Sequence, residues 1–526
     1  MRLFLSKIGL YARTISYLKP IQIVNRIKRK LFPAKIDVSP VPMVRSLRQV
    51  NFHYNRRPQS LLGNNEFIFL NRSEGLSFPD GWNNEKLPKL WLYNLHYFEG
   101  LLHDGTSQEL KVSIIEQWIA ENPYGQGNGW EAYPCSLRIS NWIKWYLSGH
   151  KLTECAKKSL AIQTRFLLDT IEYHLLGNHL FANAKALVMA GLFFDGDEAH
   201  HWYETGLEIL GEQIPEQFLN DGAHFELSTT YHALLTEDIF DIIQMMQIGG
   251  KAVPQEWINA AEKALCWLKT MTRPDGLPPL FNDAAYGISP SLSEMEAYAS
   301  NIGLKPSLGA VQGMNNLSAS GYFRFESECY SIFGDIGPIG PSYIPGHAHC
   351  DIGNFELFAH GAPVIVDTGT STYDACNRRQ SERSTAAHNT VQIGEDEQSE
   401  IWGAFRVGRR AKILDRLIKT DQVIARYLTY KKEIHERKFS FTDQLITLID
   451  DVSSDQLAVA SLHFHPNVKV SFEKSRVKVN NLLIEFEGAR KLEIEDYQYA
   501  PEFNQLELAK VIRITFSVKL KTKIIL

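Results

Sequence analysis

Apolar residues between about positions 106 and 300 recur at intervals of three and four, the spacing that gives an α-helix one buried face. Short polar segments separate the runs, and no fixed-period repeat is present. This pattern predicts helical hairpins stacked side by side, as in an α/α toroid or solenoid. The runs are 110–119, 137–146, 160–171, 180–192, 202–210, 231–243 and 257–268.

From about residue 320 the period shortens to the alternation of β-strands. Segments 355–358 and 363–366 flank His360 and Gly361, which predicts a tight hairpin. The short, evenly spaced strands indicate an antiparallel β-sandwich, with a connector at 287–309. The other predicted strands are 322–326, 329–333, 424–429, 445–450, 457–464, 468–472, 482–487 and 511–517.

Three regions follow from this division: an N-terminal extension (1–90), the toroid (91–310) and the sandwich (320–526). The first 32 residues are basic and amphipathic. Such a segment could contact a membrane surface, but we expect helix packed on the main body. Lys7 and Arg13 interrupt any apolar stretch, so no signal peptide is predicted, and no run is long enough for a transmembrane helix.

Composition excludes some functions and fixes the scale of the molecule. With 526 residues the chain is too long for a single core, so two or three domains are expected. Its net charge of −5 makes nucleic acid an improbable partner. The six cysteines lack paired spacing and predict no disulfide framework. Oligomeric state stays open at this stage.

The densest candidate chemistry lies in the β-rich half. His347 and His349 are two residues apart and share a face if the chain is extended there. Asp367 and His388 follow in Gly-rich, apolar surroundings. Histidine and carboxylate together suit a metal such as zinc. The two neighbouring histidines need not both be ligands, since one could bind metal while the other faces a substrate.

The helical half has candidates of its own. Asn178 and His179 lie at a Gly-marked helix start, where side chains can face a cleft. Tyr231 lies early in a later helix. A loop rich in glycine and aromatic residues contains Trp130, whose flat face suits a sugar ring, although it could equally be buried.

Several further residues could bind an anionic substrate group. Guanidinium and amide groups recognise carboxylate and sulfate. The candidates are Arg138, Asn141, Arg379 and Arg383, and Tyr373 is a further substrate-binding candidate that could approach the cleft.

Taken together, these segments resemble the heparinase II/III-like family of polysaccharide lyases over about residues 90–415. The motifs that carry the resemblance are Asn-His at 178–179, Ser-Thr-Thr-Tyr-His at 228–232, Gly-His-Ala-His-x-Asp at 346–351, Val-Asp-x-Gly-Thr at 366–370 and Ala-His-Asn-Thr-Val at 387–391. The resemblance implies an N-terminal α/α toroid, a C-terminal antiparallel β-sandwich and an active site between them. It also implies β-elimination of a uronic-acid polysaccharide.

The resemblance assigns roles to individual residues. Asn178, with His179 beside it, would neutralise the uronate carboxylate, and Tyr231 would protonate the leaving oxygen and could also act as base. Tyr231 would need a nearby positive group or hydrogen bonds to lower its pKa. His347 is the second candidate base.

The metal assignment rests on the same resemblance. It implies a structural zinc at His349, Asp367 and His388, and no other cofactor. Family members are typically secreted or periplasmic, whereas this sequence has no clear export signal. Members of that kind could serve in surface-polysaccharide synthesis.

Two alternatives stay open. A noncatalytic polysaccharide-binding or assembly protein would keep the cleft. A glycoside hydrolase would need two carboxylates across the cleft, and Glu131, Glu226 and Asp221 are available without forming an evident pair.

Overall fold

The periodicity changes near residue 320 because the chain passes from a helical domain, which ends with the helix Leu292–Asn301, to a β-rich one, which begins with the strand Gly313–Leu317. The computed structural model describes residues 2–46, 52–63, 65–306, 312–473 and 476–526 and, within them, all side chains except those of residues 2–7 and 473. The helices in these residues are α1 (Arg2–Ile15), α2 (Pro20–Leu31), α3 (Lys89–Tyr97), α4 (Gln108–Glu121), α5 (Ala132–Leu147), α6 (Glu154–Asp169), α7 (Gly177–Phe193), α8 (Asp197–Gln217), α9 (Thr229–Ile248), α10 (Gln255–Met271), α11 (Leu292–Asn301) and α12 (Asn377–Glu382).

The strands of the described residues fall mainly after the boundary. They are β1 (Leu61–Gly63), β2 (Glu66–Phe69), β3 (Arg72–Gly75), β4 (Gly313–Leu317), β5 (Tyr322–Glu326), β6 (Tyr330–Asp335), β7 (Phe355–Ala359), β8 (Ala362–Ile365), β9 (Val391–Ile393), β10 (Ile401–Trp402), β11 (Arg406–Val407), β12 (Lys412–Ile418), β13 (Gln422–Leu428), β14 (Ile434–Thr442), β15 (Leu445–Val452), β16 (Ala458–His463), β17 (Val470–Glu473), β18 (Arg476–Val479), β19 (Leu482–Glu487), β20 (Lys491–Tyr499), β21 (Glu507–Phe516) and β22 (Lys519–Ile525).

Helices α3 to α11 form the toroid, and each of the seven predicted helical runs corresponds to one of the helices α4 to α10. Helices α7 and α8 approach closely because small residues face each other. A Cβ atom added at Gly191 would lie 2.5 Å from the backbone nitrogen of Tyr203. The predicted connector is not all loop, since α11 forms inside it and begins with a capping box of Ser291 and Glu294.

The β-rich domain is a sandwich of antiparallel sheets. An eight-stranded sheet, β12-β13-β14-β15-β22-β19-β18-β17, faces the five-stranded sheet β4 to β8 and the four-stranded sheet β20-β21-β16-β9. Apolar side chains from all three, among them Phe323, Phe439 and Ile512, form one core. The hairpin β7–β8 turns at His360 and Gly361 as predicted, with Ala359 opposite Ala362.

Helices α1 and α2, called the N-terminal helix pair below, contact both domains. Arg13 forms an ion pair with Glu400 at 2.7 Å on the sandwich. On the toroid, Lys19 pairs with Glu216 and Gln22 donates to the carbonyl of Leu175 at 3.2 Å. None of the helices in the described ranges has the length and apolar character that crossing a bilayer requires.

Candidate active site

A cleft of about 1320 Å³ lies where the toroid, the sandwich and the N-terminal helix pair meet. The toroid contributes Asn178, His179 and Tyr231 to its wall, and the sandwich contributes His347 and Tyr373. Residues far apart in sequence are thus brought into one space. Four of these five are the residues to which the resemblance assigns catalytic roles.

Asn178 is held in place by a buried carboxylate. The chain enters α7 through Gly177 in the left-handed region, at φ +57°, and a Cβ atom there would lie 2.6 Å from a carboxylate oxygen of Glu226. The backbone N–H of Asn178 donates to Glu226 Oε1 at 3.1 Å, and its Nδ2 donates to Oε2 at 3.0 Å. The amide is therefore fixed with its Nδ2 also 3.5 Å from His347 Nε2.

His179 lies on the same helix turn and is partly exposed to the cleft. Its Nδ1 lies 3.2 Å from Glu172 Oε2, and its ring is 4.5 Å from that of Tyr133. Burial alone would lower the pKa of His179, but Glu172 outweighs it and the pKa is raised. A protonated imidazole at this position suits an anionic substrate group.

Tyr231 and His347 face each other across the domain boundary. Their rings stack with centroids 3.8 Å apart. Ser228 caps α9 by accepting from the backbone N–H of Tyr231, which fixes the first turn. Burial and the neighbouring Tyr373 phenol, 3.4 Å from the Tyr231 hydroxyl, raise the pKa of Tyr231 well above its ordinary value. These neighbours therefore do not supply the lowered pKa that Tyr231 would need to act as a base, and the phenol keeps its proton at neutral pH.

Asp283, a residue that no sequence motif predicts, organises the histidines. Its Oδ2 lies 2.9 Å from His347 Nδ1 and its Oδ1 lies 2.8 Å from His349 Nε2. Burial would raise the pKa of Asp283, but Arg379 and the two imidazoles hold it well below its usual range. The only sequence signal was an Asn-Asp pair directly after an apolar run, at 282–283.

The three candidate metal ligands are buried behind the cleft. His388 Nδ1 lies 2.7 Å from Asp367 Oδ2, and the rings of His349 and His388 are 5.2 Å apart. His349 Nδ1 and His388 Nε2 are buried without a hydrogen-bond partner. Across the described part of the chain, no three His, Cys, Asp or Glu side chains are gathered closely enough to hold a metal.

Of the predicted substrate-binding residues, Tyr373 and Asn141 line the cleft. The amide of Asn141 already donates to the carbonyl of Tyr97 at 2.9 Å. Trp130 and Arg138 lie elsewhere, buried in the toroid core. Trp130 stacks on Trp118, and Arg138 donates to Gln163 at 2.8 Å. Neither side chain is accessible to a substrate.

Arg379 and Arg383 are likewise buried behind the cleft wall. Arg379 donates through both Nη atoms to Asp283. Arg383 donates to the carbonyls of Ala348 and Gly403, both at 3.1 Å. These arginines therefore build the wall, and the expected direct contact with a substrate carboxylate does not fit their positions.

A helical toroid joined to an antiparallel sandwich, with the cleft between them, is also what comparison with known families finds. The model of the heparinase II/III N-terminus matches residues 104–301, and that of the heparinase II/III-like C-terminal domain matches residues 310–525. The chain belongs to the heparinase II/III-like family.

Individual relatives agree with this assignment. The heparin-sulfate lyase of Bacteroides stercoris is 24% identical over 314 residues, which are 56% of this chain and 46% of that protein. The heparin-sulfate lyase of Pedobacter heparinus is 25% identical over 363 residues, 61% of this chain and 52% of that protein. The chain thus spans about half the length of the curated relatives it matches.

A solved structure shows the same fold. The crystal structure of heparinase III aligns with a TM-score of 0.68 at 17% identity and covers 93% of this chain and 86% of that one. The predicted toroid followed by a β-sandwich is confirmed.

Proposed function

We propose that the protein is a polysaccharide lyase that cleaves a uronic-acid polysaccharide by β-elimination. The observation that carries the proposal is the meeting of Tyr231, His347 and Asn178 in one cleft, with two of the three from one domain and one from the other. The curated relatives are named as heparin-sulfate lyases, which makes a glycosaminoglycan the first substrate class to test.

The first requirement of the reaction is to neutralise the uronate carboxylate, because this makes the C5 proton removable. Asn178 presents an amide N–H₂ that Glu226 holds from behind. His179, whose pKa Glu172 raises, would supply positive charge beside it when protonated. Together they would bind the two oxygens of the substrate carboxylate.

The second requirement is a base for the C5 proton and an acid for the leaving oxygen. Asp283 accepts from Nδ1–H of His347, so the lone pair of Nε2 is the one that would take the proton once the Asn178 amide, 3.5 Å away, turns to the substrate carboxylate. The electron pair of the C5–H bond then forms C4=C5, and the C4–O4 bond breaks. The phenol of Tyr231 gives its proton to O4, and its raised pKa keeps that proton available.

A glycoside hydrolase finds less support in the site. Glu226 binds Asn178, Glu131 binds Tyr93 and Lys89, and Asp221 binds Ser320. The three carboxylates are thus each engaged in a separate structural contact.

The proposal is tested by ultraviolet absorbance of unsaturated uronate ends with heparan sulfate, heparin, hyaluronan and alginate. We expect a rise with at least one polymer and its loss in Tyr231→Phe, because the proton donor is gone. Tyr203→Phe, a buried toroid tyrosine outside the cleft, should keep the activity. Activity retained in Tyr231→Phe would remove Tyr231 from the mechanism. A wild-type protein that binds the polymers without any rise would indicate a noncatalytic or assembly role.

We also propose zinc at His349, Asp367 and His388, where it would fix the cleft wall and leave the elimination to the residues above. Two unpartnered ring nitrogens support the proposal, since imidazole is a zinc ligand, and binding would draw the three side chains closer together than they stand here. Elemental analysis and thermal unfolding test it. His349→Ala should lose both metal and stability, whereas His435→Ala, which also removes a buried sandwich histidine, should lose stability and keep the metal. Wild-type protein purified without metal would contradict the proposal.

A further inference from the structure

Helix α2 of the N-terminal helix pair contacts the toroid through polar side chains, and Gln22 is the one residue of the helix that is buried. Gln22 is buried and donates to the carbonyl of Leu175 at 3.2 Å, and Arg26 donates to the carbonyl of His174 at 3.4 Å. Arg29 lies 3.0 Å from the ring of the same His174. A helix on the surface of a globular protein normally does the reverse and buries its apolar face.

The apolar face of α2 is consequently exposed. Ile23, Val24, Ile27 and Leu31 form one side of the helix and are called the α2 stripe. Val24, Ile27 and Leu31 are 60%, 54% and 66% exposed, and the next residue, Phe32, is 70% exposed. A contiguous apolar surface of this kind marks an interaction site.

The charges around the stripe identify its partner. Lys28 and Lys30 flank it and are exposed. Residues 1–36 contain nine lysines and arginines and no acidic residue, although the whole chain has a net charge of −5. A second copy of the chain would bring the same positive charges together, and a soluble polyanion would leave the apolar side chains in water. An anionic lipid surface accepts both kinds of group.

We propose that the α2 stripe docks the protein on anionic membranes, with the apolar side chains in the headgroup region and the flanking lysines on lipid phosphates. Gln22 and Arg26, on the opposite side of the helix, line the cleft, and the stripe does not. Docking would therefore leave the cleft open. The inference does not depend on the proposed lyase activity.

Vesicle flotation of the full chain tests the proposal. We expect binding to vesicles of phosphatidylcholine and phosphatidylglycerol in a roughly three-to-one mixture, little binding to phosphatidylcholine alone, and weakening by salt. In the triple variant Val24→Ser, Ile27→Ser, Leu31→Ser, the affinity for the anionic vesicles should fall by about tenfold or more. The matched control Leu457→Ser, Leu508→Ser, Val518→Ser replaces three exposed apolar residues of the sandwich and should bind as wild type does.

A charge-reversal pair separates the electrostatic part. The affinity for anionic vesicles should fall by about tenfold or more in the double variant Lys28→Glu, Lys30→Glu. The control is the double variant Lys412→Glu, Lys419→Glu, which reverses two exposed lysines of the sandwich and should bind as wild type does. An unchanged thermal transition shows that each variant is folded.

Four results would overturn the proposal. Two are the absence of wild-type binding to the anionic vesicles and equal binding by the triple serine variant. Another is a wild-type dimer in light scattering that the triple variant converts to a monomer, since a second copy would then cover the stripe. The last is retention on immobilised heparin that depends on Lys28 and Lys30, without vesicle binding.

Discussion

At the scale of single residues, Asp283 is the group on which the site depends most. Its two oxygens hold His347 and His349, and Arg379 balances its charge. An imidazole that donates to a carboxylate keeps one tautomer and one orientation. The position of the proposed base is therefore determined by a residue outside the sequence motifs that carry the family resemblance.

We predict that Asp283→Asn lowers kcat by at least about tenfold with a smaller effect on KM, because His347 loses its fixed tautomer. Steady-state kinetics across pH would measure this. The control is Asp450→Asn in the sandwich. Asp450 is also buried and binds a histidine, His435, at 2.8 Å and an arginine, Arg437, at 2.7 Å.

Both variants should lose stability, because each leaves a buried arginine less well paired. Only Asp283→Asn should change the kinetics of the protein that remains folded. Equal kinetic losses in the two variants would reduce Asp283 to a structural role.

The residues of the site were predictable to different degrees. His347 and Tyr231 could be found because short motifs carry them. Asp283 could not, since a lone aspartate in a loop has no periodicity. Trp130 and Arg138 have the right chemistry for a sugar, but the sequence does not show that Trp118 and Gln163 would bury them.

At the scale of elements, strong periodicity determined what could be predicted. The seven central helices bury a broad face and were all found. Strands β12, β14, β18, β20 and β22 were not predicted. In β14 two of the inward positions hold the polar residues His435 and Arg437, and β18 has only four residues. The apolar alternation is therefore interrupted in the first strand and short in the second.

The attachment of α1 provides a prediction about pH. Burial would raise the pKa of Glu400, but hydrogen bonds from Arg13 and Arg409 lower it to about 2. A carboxyl group with a lowered folded-state pKa stabilises the fold above its unfolded pKa of 4.5 and loses this effect as pH falls towards 2.

We therefore expect hydrogen exchange of the α1 amides to accelerate as pH falls below about 4.5, after correction for the intrinsic rate. Glu400→Gln should produce the faster exchange already at neutral pH. Glu487→Gln, which removes an exposed carboxylate from Lys523 elsewhere on the sandwich, should not affect α1. Exchange in α1 that is independent of pH and of Glu400 would show that other contacts hold the helix.

At the scale of the whole molecule, the two domains are joined by buried polar contacts as well as apolar ones. Arg273, after α10, pairs with Glu356 on β7 at 2.8 Å, and both side chains are buried. The hydroxyl of Tyr322 on β5 donates to the carbonyl of Leu227 in the toroid at 2.5 Å. The cleft wall is consequently continuous across the boundary.

Arg273→Met should destabilise the protein by about 3–5 kcal/mol, because Glu356 would stay buried without its partner. The free energy of unfolding in denaturant measures the loss. Lys157→Met removes a surface ion pair with Glu154 and should change it by less than about 0.5 kcal/mol. If the two variants lose similar free energies of unfolding, the ion pair between Arg273 and Glu356 does not stabilise the domain boundary.

The N-terminal helix pair has a mechanical consequence. It is tied to the toroid at Glu216 and to the sandwich at Glu400, on opposite sides of the domain boundary. A hinge motion that widened the cleft would have to stretch one of these ties. If the proposed reaction is correct, the width of the opening for the polymer would thus depend on a segment that contains none of the catalytic candidates. Releasing either tie should then alter product length before it alters the chemistry.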